Sequence, residues 1–283
     1  MVEVISGGLY TTIQDMGRFG FRKHGVPLSG AMDSYSALLA NSLVGNEMHA
    51  AVLEITYIGP VLCFTTATQI AITGAGFSPT VNNREISLNT RVHLEAGSTV
   101  KFGLPAYGLR AYVSVFGGFQ EKKVMDSYSY CYGITEKQSL ASGDQIPILN
   151  YESHLKPTTA SVKVRRTHFT SDTIEAYPGP EFHILPKAIR EQFLASSGKV
   201  LAESNRMAYL LSGFESYSAE EIITGPVQSG TVQLTPSGRC IVLMRDAQTT
   251  GGYARVLQLS EAGINTMAQK RAGDVVHFDL ITD

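Results

Sequence analysis

The residues best suited to chemistry in the first part of the chain lie in the polar stretch 11–27. Glycines interrupt this stretch, and glycine lets a backbone approach a ligand closely. Arg18 and Arg22 can each bind a carboxylate or a phosphate through paired N–H donors, and His24 can exchange a proton near neutral pH. The same pattern is typical of a turn-rich surface loop with solvated charges, so the residue types leave both interpretations open.

Three further polar residues stand where regular elements are predicted to begin. Ser29 or Asp33 can cap a helix by accepting hydrogen bonds from its free N–H groups, and a helix start can also hold an anion. Glu54 begins a predicted strand, where it could act as a general base or pair with an arginine. Both roles of Glu54 stay open at this point.

In the second half, polar residues again follow predicted strands. Asn205 and Arg206 place an amide beside a guanidinium, and the segment 245–253 comes directly after an apolar strand. Polar residues with a glycine pair at the end of a core strand commonly form the rim of a ligand site. A hairpin turn at 251–252 with solvated side chains is the alternative.

Composition excludes several classes of protein. The chain has 283 residues, 43% of them hydrophobic, and a net charge of −2, which predicts a globular protein and disfavours a nucleic-acid partner. Three well-separated cysteines and no Cys/His cluster predict neither a disulfide framework nor a metal site. No apolar run reaches the ~20 residues of a membrane span, and the start lacks signal-peptide features, so a cytoplasmic protein without a membrane partner is expected.

The elements that must position these residues are predicted to be mainly short strands. β-branched and aromatic runs alternate with turn residues, and 27 glycines supply the turns. Two helices are predicted over 33–43 and 187–195, with Pro186 in the first turn of the second. Neither a phosphate-binding P-loop nor a serine nucleophile elbow is present in the sequence.

The two halves of the chain share a similar order of segments. A segment that leads into Gly-Pro-Val occurs at 35–61 and again at 205–227, and a Gly-Asp turn before a strand occurs at 142–146 and at 272–276. Tandem duplication of one β-rich module would explain this order, although Gly-Asp turns also recur by chance. The polar stretch 151–166 is the best boundary and predicts domains 1–155 and 156–283.

These segments together resemble the KipA (PxpC) family, also described as allophanate hydrolase subunit 2 or the carboxyltransferase-type domain. Each matching block is short, but their order along nearly the whole chain is specific. The blocks are 8–18, 25–33, 40–46, 53–60, 73–75, 178–180, 204–207, 225–228, 248–253 and 268–269.

The resemblance implies a fold of two tandem cyclophilin-like β-barrel lobes with a few short helices. It implies the PxpC-type component of an ATP-dependent 5-oxoprolinase, active in a complex with a KipI-type (PxpB) and a LamB/YcsF-type (PxpA) protein. ATP would be used by the complex to open 5-oxoproline to glutamate. The alternatives are a biotin-dependent carboxyltransferase acting on urea or a similar amide, and a KipA-like antagonist of a kinase inhibitor.

The resemblance also suggests which residues surround the substrate, with both lobes expected to contribute. The residues expected to take part in catalysis are Gln14, Asp15, Arg18, His24, Asp33 and Glu54. Those expected to bind substrate are Arg22, Ser29, Asn41, Asn205, Arg206, Gln228, Asp246, Gln248, Thr249 and Tyr253. The family often has arginine where this chain has Tyr128, Leu211 and Ala247, so a different substrate is expected if those arginines bind it.

Overall fold

The structure is a computed structural model that describes residues 1–149, 151, 162–214, 217 and 219–281. The chain divides into two compact units. The first comprises Met1–Arg18 with Ser29–Phe169, and the second comprises Phe19–Leu28 with Thr170–Asp283. The predicted boundary between residues 155 and 156 lies outside the described residues, and the predicted domain division stays a prediction.

The first unit contains two β-sheets that share one apolar core. One sheet has the strand order β11-β1-β4-β9-β6-β7 and the other has the order β2-β3-β10-β5-β8. The strands are β1 (Val2–Ser6), β2 (Tyr10–Gln14), β3 (Val52–Thr56), β4 (Val61–Phe64), β5 (Thr68–Gly74), β6 (Thr80–Val81), β7 (Arg84–Glu85), β8 (Arg91–Leu94), β9 (Ser98–Lys101), β10 (Arg110–Val115) and β11 (Gln145–Ile146).

Alternation along the strands decides which side chains enter this core. Leu53 and Ile55 of β3 and Val113 of β10 point into it and are fully buried, because residues two apart share a face of a sheet. The opposite face of the five-stranded sheet is covered by helix α1 (Ser34–Val44). Small residues such as Ala37 and Ala40 let this helix lie close to the sheet.

The boundaries of α1 follow from its caps. The Asp33 side chain accepts a hydrogen bond from the Ser36 N–H, which makes Asp33 the N-cap. Gly45 ends the helix in the left-handed conformation, φ 78°, which glycine adopts without steric cost. The predicted helix over 33–43 is therefore confirmed. Of Ser29 and Asp33, the two residues predicted as possible caps, Asp33 is the N-cap.

The second unit is a closed barrel with the strand order β12-β19-β16-β17-β14-β13-β20. A separate pair is formed by β15 and β18. The strands are β12 (Thr173–Pro178), β13 (Gly198–Val200), β14 (Ala208–Ser212), β15 (Gly225–Pro226), β16 (Thr231–Leu234), β17 (Cys240–Leu243), β18 (Thr250–Gly251), β19 (Ala254–Leu259) and β20 (Val275–Leu280).

Three short α-helices follow α1 along the chain: α2 (Thr167–Thr170), α3 (Lys187–Ala195) and α4 (Glu261–Met267). The predicted helix over 187–195 is confirmed, but Pro186 precedes it as the N-cap residue instead of occupying its first turn. Phe193 of α3 packs on Phe214 and Phe278 of the barrel, with ring centroids 4.8 and 6.0 Å away.

The prediction was a mainly β fold of two tandem cyclophilin-like β-barrel lobes with a few short helices. The mainly β fold with short helices is confirmed, and the second unit is a closed barrel, whereas the first unit has two sheets around one core. Within the described residues, every helix is too short or too polar to span a bilayer.

Candidate functional site

The five-stranded sheet carries a row of polar side chains on the face that α1 covers. Strand register aligns Thr12, Glu54, Tyr112 and Thr73 on neighbouring strands. All four are buried. A buried polar group is costly unless it is hydrogen-bonded, so this row constrains the segments that pack on it.

Glu54 fixes the segment that leads into α1. Its Oε2 accepts hydrogen bonds from the Met32 N–H at 2.7 Å and from the Tyr112 hydroxyl at 2.9 Å. The Tyr112 oxygen in turn accepts the Asp33 N–H at 2.8 Å. Arg110 Nε lies 3.7 Å from the other carboxylate oxygen of Glu54. Of the two roles considered for Glu54 from sequence, the arginine pairing is present in the structure, and the role as a general base stays a prediction.

Tyr112 is a permanent donor in this arrangement. Burial raises the pKa of its hydroxyl well above the ordinary value, and the nearby Glu54 and Asp33 carboxylates raise that pKa further. The hydroxyl therefore keeps its proton and directs it to Glu54.

Asp33 joins the helix cap to a histidine. Its Oδ2 accepts from the Ser36 hydroxyl at 2.7 Å and lies 2.9 Å from His168 Nε2. Asp33 is fully buried, whereas the His168 side chain is 18% exposed. A buried carboxylate that orients a partly exposed imidazole is an arrangement that can support proton transfer, because it fixes the orientation of the ring.

Asp15 holds the segment 124–130 in place. Its Oδ1 accepts hydrogen bonds from the Gly17 N–H at 2.8 Å and from the hydroxyls of Ser127 and Ser129 at 2.7 and 2.6 Å. Its Oδ2 accepts the Tyr128 N–H at 2.7 Å. Four donors on one buried carboxylate make Asp15 a strong anchor for this segment.

Arg18 and Gln14 bind the same segment. The Arg18 side chain is fully buried and donates to the Val124 carbonyl at 3.2 Å and to the Ser129 carbonyl. Gln14 Nε2 donates to the Tyr130 carbonyl at 3.2 Å. Three of the residues predicted to be catalytic thus meet around one loop and position it. Their catalytic roles stay a prediction.

Asn41 and Ser29 occupy different environments in the first unit. Asn41 Nδ2 donates to the Ala50 carbonyl at 2.8 Å, and its Oδ1 accepts the Ser114 hydroxyl at 2.6 Å, so its amide ties α1 to the sheet. Ser29 is 1% exposed and has φ 57°, a left-handed conformation that is uncommon outside glycine. Its hydroxyl has no hydrogen-bond partner in the described residues.

In the second unit, Arg206 and Asp246 form a bidentate ion pair. Arg206 Nε and Nη2 donate to the two Asp246 oxygens at 2.8 and 3.0 Å. The exposed Asn205 forms a turn by accepting the Met207 N–H at 2.8 Å. The pair joins the loop before β14 to the loop after β17. The guanidinium singled out in the sequence therefore has a structural role here.

The remaining predicted residues of the second unit lie near its surface. Gln248, Tyr253 and His24 are exposed, and the Thr249 carbonyl accepts the Val227 N–H at 3.0 Å. The hairpin at 251–252, considered from sequence as the alternative to a ligand rim, is not formed, because β18 pairs with β15. The roles of these residues in substrate binding stay a prediction.

A cavity of about 460 Å³ lies in the second unit. Two predicted substrate-binding residues, Arg22 and Gln228, line it together. The other lining residues are Pro180, Pro226, Val227, Thr231, Arg255, Leu257 and Gln258. The volume is in the range of small-molecule sites, and the lining combines apolar walls with a few polar groups, as such sites usually do.

Arg255 braces the wall of this cavity. Its guanidinium forms a bidentate pair with Glu181, at 2.8 Å from Nε to Oε2 and 2.6 Å from Nη2 to Oε1, and Nη1 donates to the Pro226 carbonyl at 2.9 Å. The hydrogen bonds from Arg255 lower the pKa of Glu181 below its ordinary value. Gly179 is required nearby, since a Cβ there would lie 2.1 Å from the Arg255 carbonyl oxygen.

Sequence reasoning missed several of these residues: Tyr112, Arg110, His168, Ser127, Ser129, Glu181 and Arg255. Strand β10 did carry a signal, because Arg110, Tyr112 and Ser114 occupy every second position of an apolar strand and so share one face. Glu181 and His168 lie in segments without periodicity, and only the fold brings them to their partners.

The described part of the chain contains no group of three or more His, Cys, Asp or Glu residues placed to hold a metal ion.

Residues 24–280 match the family described as "Carboxyltransferase domain, subdomain A and B". The chain belongs to this carboxyltransferase-domain family. Among curated proteins it is 35% identical to the C subunit of 5-oxoprolinase from Escherichia coli (strain K12), over 98% of this chain and 90% of that protein. It is 29% identical to the corresponding 5-oxoprolinase protein of Haemophilus influenzae, over 100% and 92% of the two chains.

Solved structures show the same fold. TTHA0988 superposes with a TM-score of 0.89 and 29% identity over 98% of this chain, which spans 55% of the length of TTHA0988. The K. lactis urea amidolyase superposes with a TM-score of 0.86 and 28% identity over 99% of this chain, but the match covers 19% of that protein. The fold is therefore shared by proteins with different names and different lengths.

We predict that Tyr112→Phe destabilises the protein by about 2–4 kcal/mol, because the Glu54 carboxylate and the Asp33 N–H each lose a partner while buried. Urea unfolding measures the change. Tyr132→Phe, at a residue 82% exposed, is the matched control and should change stability little. Equal stability of the two variants would contradict the role given to the Tyr112 hydroxyl.

We predict that Asp15→Asn costs about 2–4 kcal/mol in stability. Gly17 N–H reaches one carboxylate oxygen and Tyr128 N–H reaches the other, so either orientation of the asparagine amide puts its NH₂ against a backbone donor. Asp126→Asn in the same segment is the control, since Asp126 is exposed and its φ of 60° suits asparagine. Thermal unfolding that is unchanged in Asp15→Asn would show that this anchor is dispensable.

The Glu181–Arg255 pair should make stability depend on pH. Because the pKa of Glu181 is lower in the folded state, its contribution is present above about pH 4.3 and is lost as the pH falls through the folded pKa. Glu181→Gln should cost about 1.5–3 kcal/mol at pH 7 and progressively less in acid. Urea unfolding at several pH values measures this, with Glu191→Gln, in an exposed pair, as control. Parallel pH profiles for wild type and Glu181→Gln would refute it.

Proposed function

We propose that this chain is the PxpC-type component of an ATP-dependent 5-oxoprolinase that hydrolyses 5-oxoproline to glutamate. The observation that carries the proposal is the identity with the E. coli 5-oxoprolinase protein over nearly the full length of both chains. Similarity to urea amidolyase, by contrast, is confined to a small part of that longer protein.

The proposed reaction has to break an unreactive ring amide. The ring C–N bond breaks, oxygen from water joins the carbonyl carbon, and the departing nitrogen takes up a proton. ATP would activate the lactam by phosphorylating its oxygen. Once water has added and the ring C–N bond has broken, an acyl phosphate remains, and a second water would displace its phosphate to leave the carboxylate of glutamate. Charge that builds on oxygen during such steps is stabilised by fixed hydrogen-bond donors, which folded polar segments can supply.

Both relatives are named as one subunit of 5-oxoprolinase, which supports an assembly with further subunits. We propose a KipI-type (PxpB) and a LamB/YcsF-type (PxpA) protein as these partners, with activity arising only in the complex and in the cytoplasm. This chain's sequence has no P-loop, which favours ATP binding by a partner or through a different type of site.

A second candidate function is biotin-dependent carboxyl transfer to urea or a similar amide. The carboxyltransferase family match and the superposition on the K. lactis urea amidolyase favour it. Biotin would then carry the carboxyl group to this chain. Tyr128, Leu211 and Ala247 stand where the family often has arginine, and this bears on both candidate functions. Under either function, other residues would have to provide the positive charge of those arginines.

Reconstitution with both proposed partners tests the two candidates together. We expect glutamate to form from 5-oxoproline with matching ATP consumption when all three proteins are present, and not when any one is omitted. Mass spectrometry of products from urea, bicarbonate, ATP and a biotin carboxylase measures the alternative in parallel. Carboxylation of urea without any glutamate formation from 5-oxoproline would overturn the proposed function and favour the second candidate.

A further inference from the structure

The cavity of the second unit contains one neutralised and one unneutralised guanidinium. Arg255 is neutralised, because both Glu181 oxygens accept from it and both side chains are largely buried, at 19% and 13% exposure. Arg22 is half-buried, and among the described residues its side chain donates only to the Val227 carbonyl, a neutral acceptor. The cavity therefore has an excess positive charge at Arg22.

This charge is available to a ligand. One N–H of Arg22 is used by Val227, and a guanidinium has five N–H donors in a planar fork. The remaining donors match the two oxygens of a carboxylate, which arginine can bind in a bidentate manner. No carboxylate in the described part of the chain lies within ion-pair distance of Arg22.

Gln228 supplies the second polar group. Its backbone N–H is fixed by the Thr231 hydroxyl at 3.2 Å, and that hydroxyl donates to Gln258 Oε1 at 3.0 Å. Gln258 Nε2 in turn donates to the Ser229 carbonyl at 2.9 Å. The Gln258 amide is therefore occupied by protein partners.

Gln228 is an exposed residue on the rim of the cavity, and its side-chain amide has no hydrogen-bond partner in the described residues although its backbone is held in place. An amide side chain has both a donor and an acceptor, which is the complement of a lactam with its N–H and C=O. The walls formed by Pro180, Val227 and Leu257 are apolar and suit ring methylenes.

We propose that this cavity binds a small monocarboxylate that also carries an amide, with the carboxylate on Arg22 and the amide on Gln228. The inference deepens the proposed function and rests on it for the identity of the ligand, since 5-oxoproline combines a carboxylate and a ring amide. The Glu181–Arg255 pair holds the wall and does not contact the carboxylate in this assignment.

Ligand-observed NMR and calorimetry with the full-length chain test the chemistry of the cavity. Three probes separate its parts: 5-oxoproline, 2-pyrrolidinone, which lacks the carboxylate, and cyclopentanecarboxylate, which lacks the amide. We expect 5-oxoproline to bind at least about 10-fold more tightly than either partial probe, the factor that one additional hydrogen bond to a charged group supplies. Equal affinity for all three probes, or no binding of 5-oxoproline, overturns the proposal.

Two variants assign the contacts. Arg22→Met should weaken 5-oxoproline binding by about 10- to 100-fold, the range of a charge-assisted hydrogen bond, and should leave 2-pyrrolidinone binding unchanged. Gln228→Leu should weaken 5-oxoproline but not cyclopentanecarboxylate. Such a selective loss of affinity is expected when one protein group contacts one ligand group. A misfolded variant would instead lose its affinity for all three probes.

Matched controls lie on the surface of the same unit. Arg239→Met and Gln192→Leu remove an exposed arginine and an exposed glutamine outside the cavity and should leave all affinities unchanged. Controls that weaken binding as much as the cavity variants would overturn the assignment.

Activity measurements keep this inference separate from the proposed function. If the reconstituted complex cleaves 5-oxoproline and both cavity variants retain wild-type kcat/KM, the cavity assignment fails while the function stands. If the complex does not cleave 5-oxoproline but the chain binds it with the predicted selectivity, the function fails while the cavity assignment stands.

Discussion

The structure of the first unit depends on how the buried carboxylate of Glu54 obtains its hydrogen bonds. This carboxylate lies on the sheet face that α1 covers and is 1% exposed, so water cannot satisfy it. The donors come instead from the Met32 backbone and the Tyr112 hydroxyl, and this pairing brings Asp33 to the start of α1. One buried carboxylate thereby holds the segment that leads into the helix, and Asp33 caps its first turn.

The same principle explains how several residues predicted to be catalytic are also engaged by the protein. Asp15, Arg18 and Gln14 use polar atoms on the segment 124–130, and the four donors around the Asp15 carboxylate make it an anchor for that segment. Residues of these types would be chosen by any search for reactive groups. The residue types that take part in catalysis can also hold a loop in place, so residue type alone does not distinguish the two roles.

In the second unit, electrostatic compensation distinguishes a structural arginine from one that can bind a ligand. Arg255 has its carboxylate in Glu181, whereas Arg22 has a carbonyl. A guanidinium next to a small cavity with only a neutral partner is suited to an anionic ligand. Family membership does not by itself identify a ligand. The charge at Arg22 is the local feature on which the proposal of a carboxylate ligand rests.

The amino-acid sequence by itself determined the strand-rich character, the two helices and the family, because alternation, turn residues, caps and short ordered blocks are local patterns. It also singled out Arg22 and Gln228, which line one cavity. Tertiary structure alone decided which polar groups are occupied. His168 meets Asp33 across 135 positions of chain, and Glu181 meets Arg255 across 74. No local pattern encodes such pairings, since they follow from strand register and the requirement that buried polar groups be satisfied.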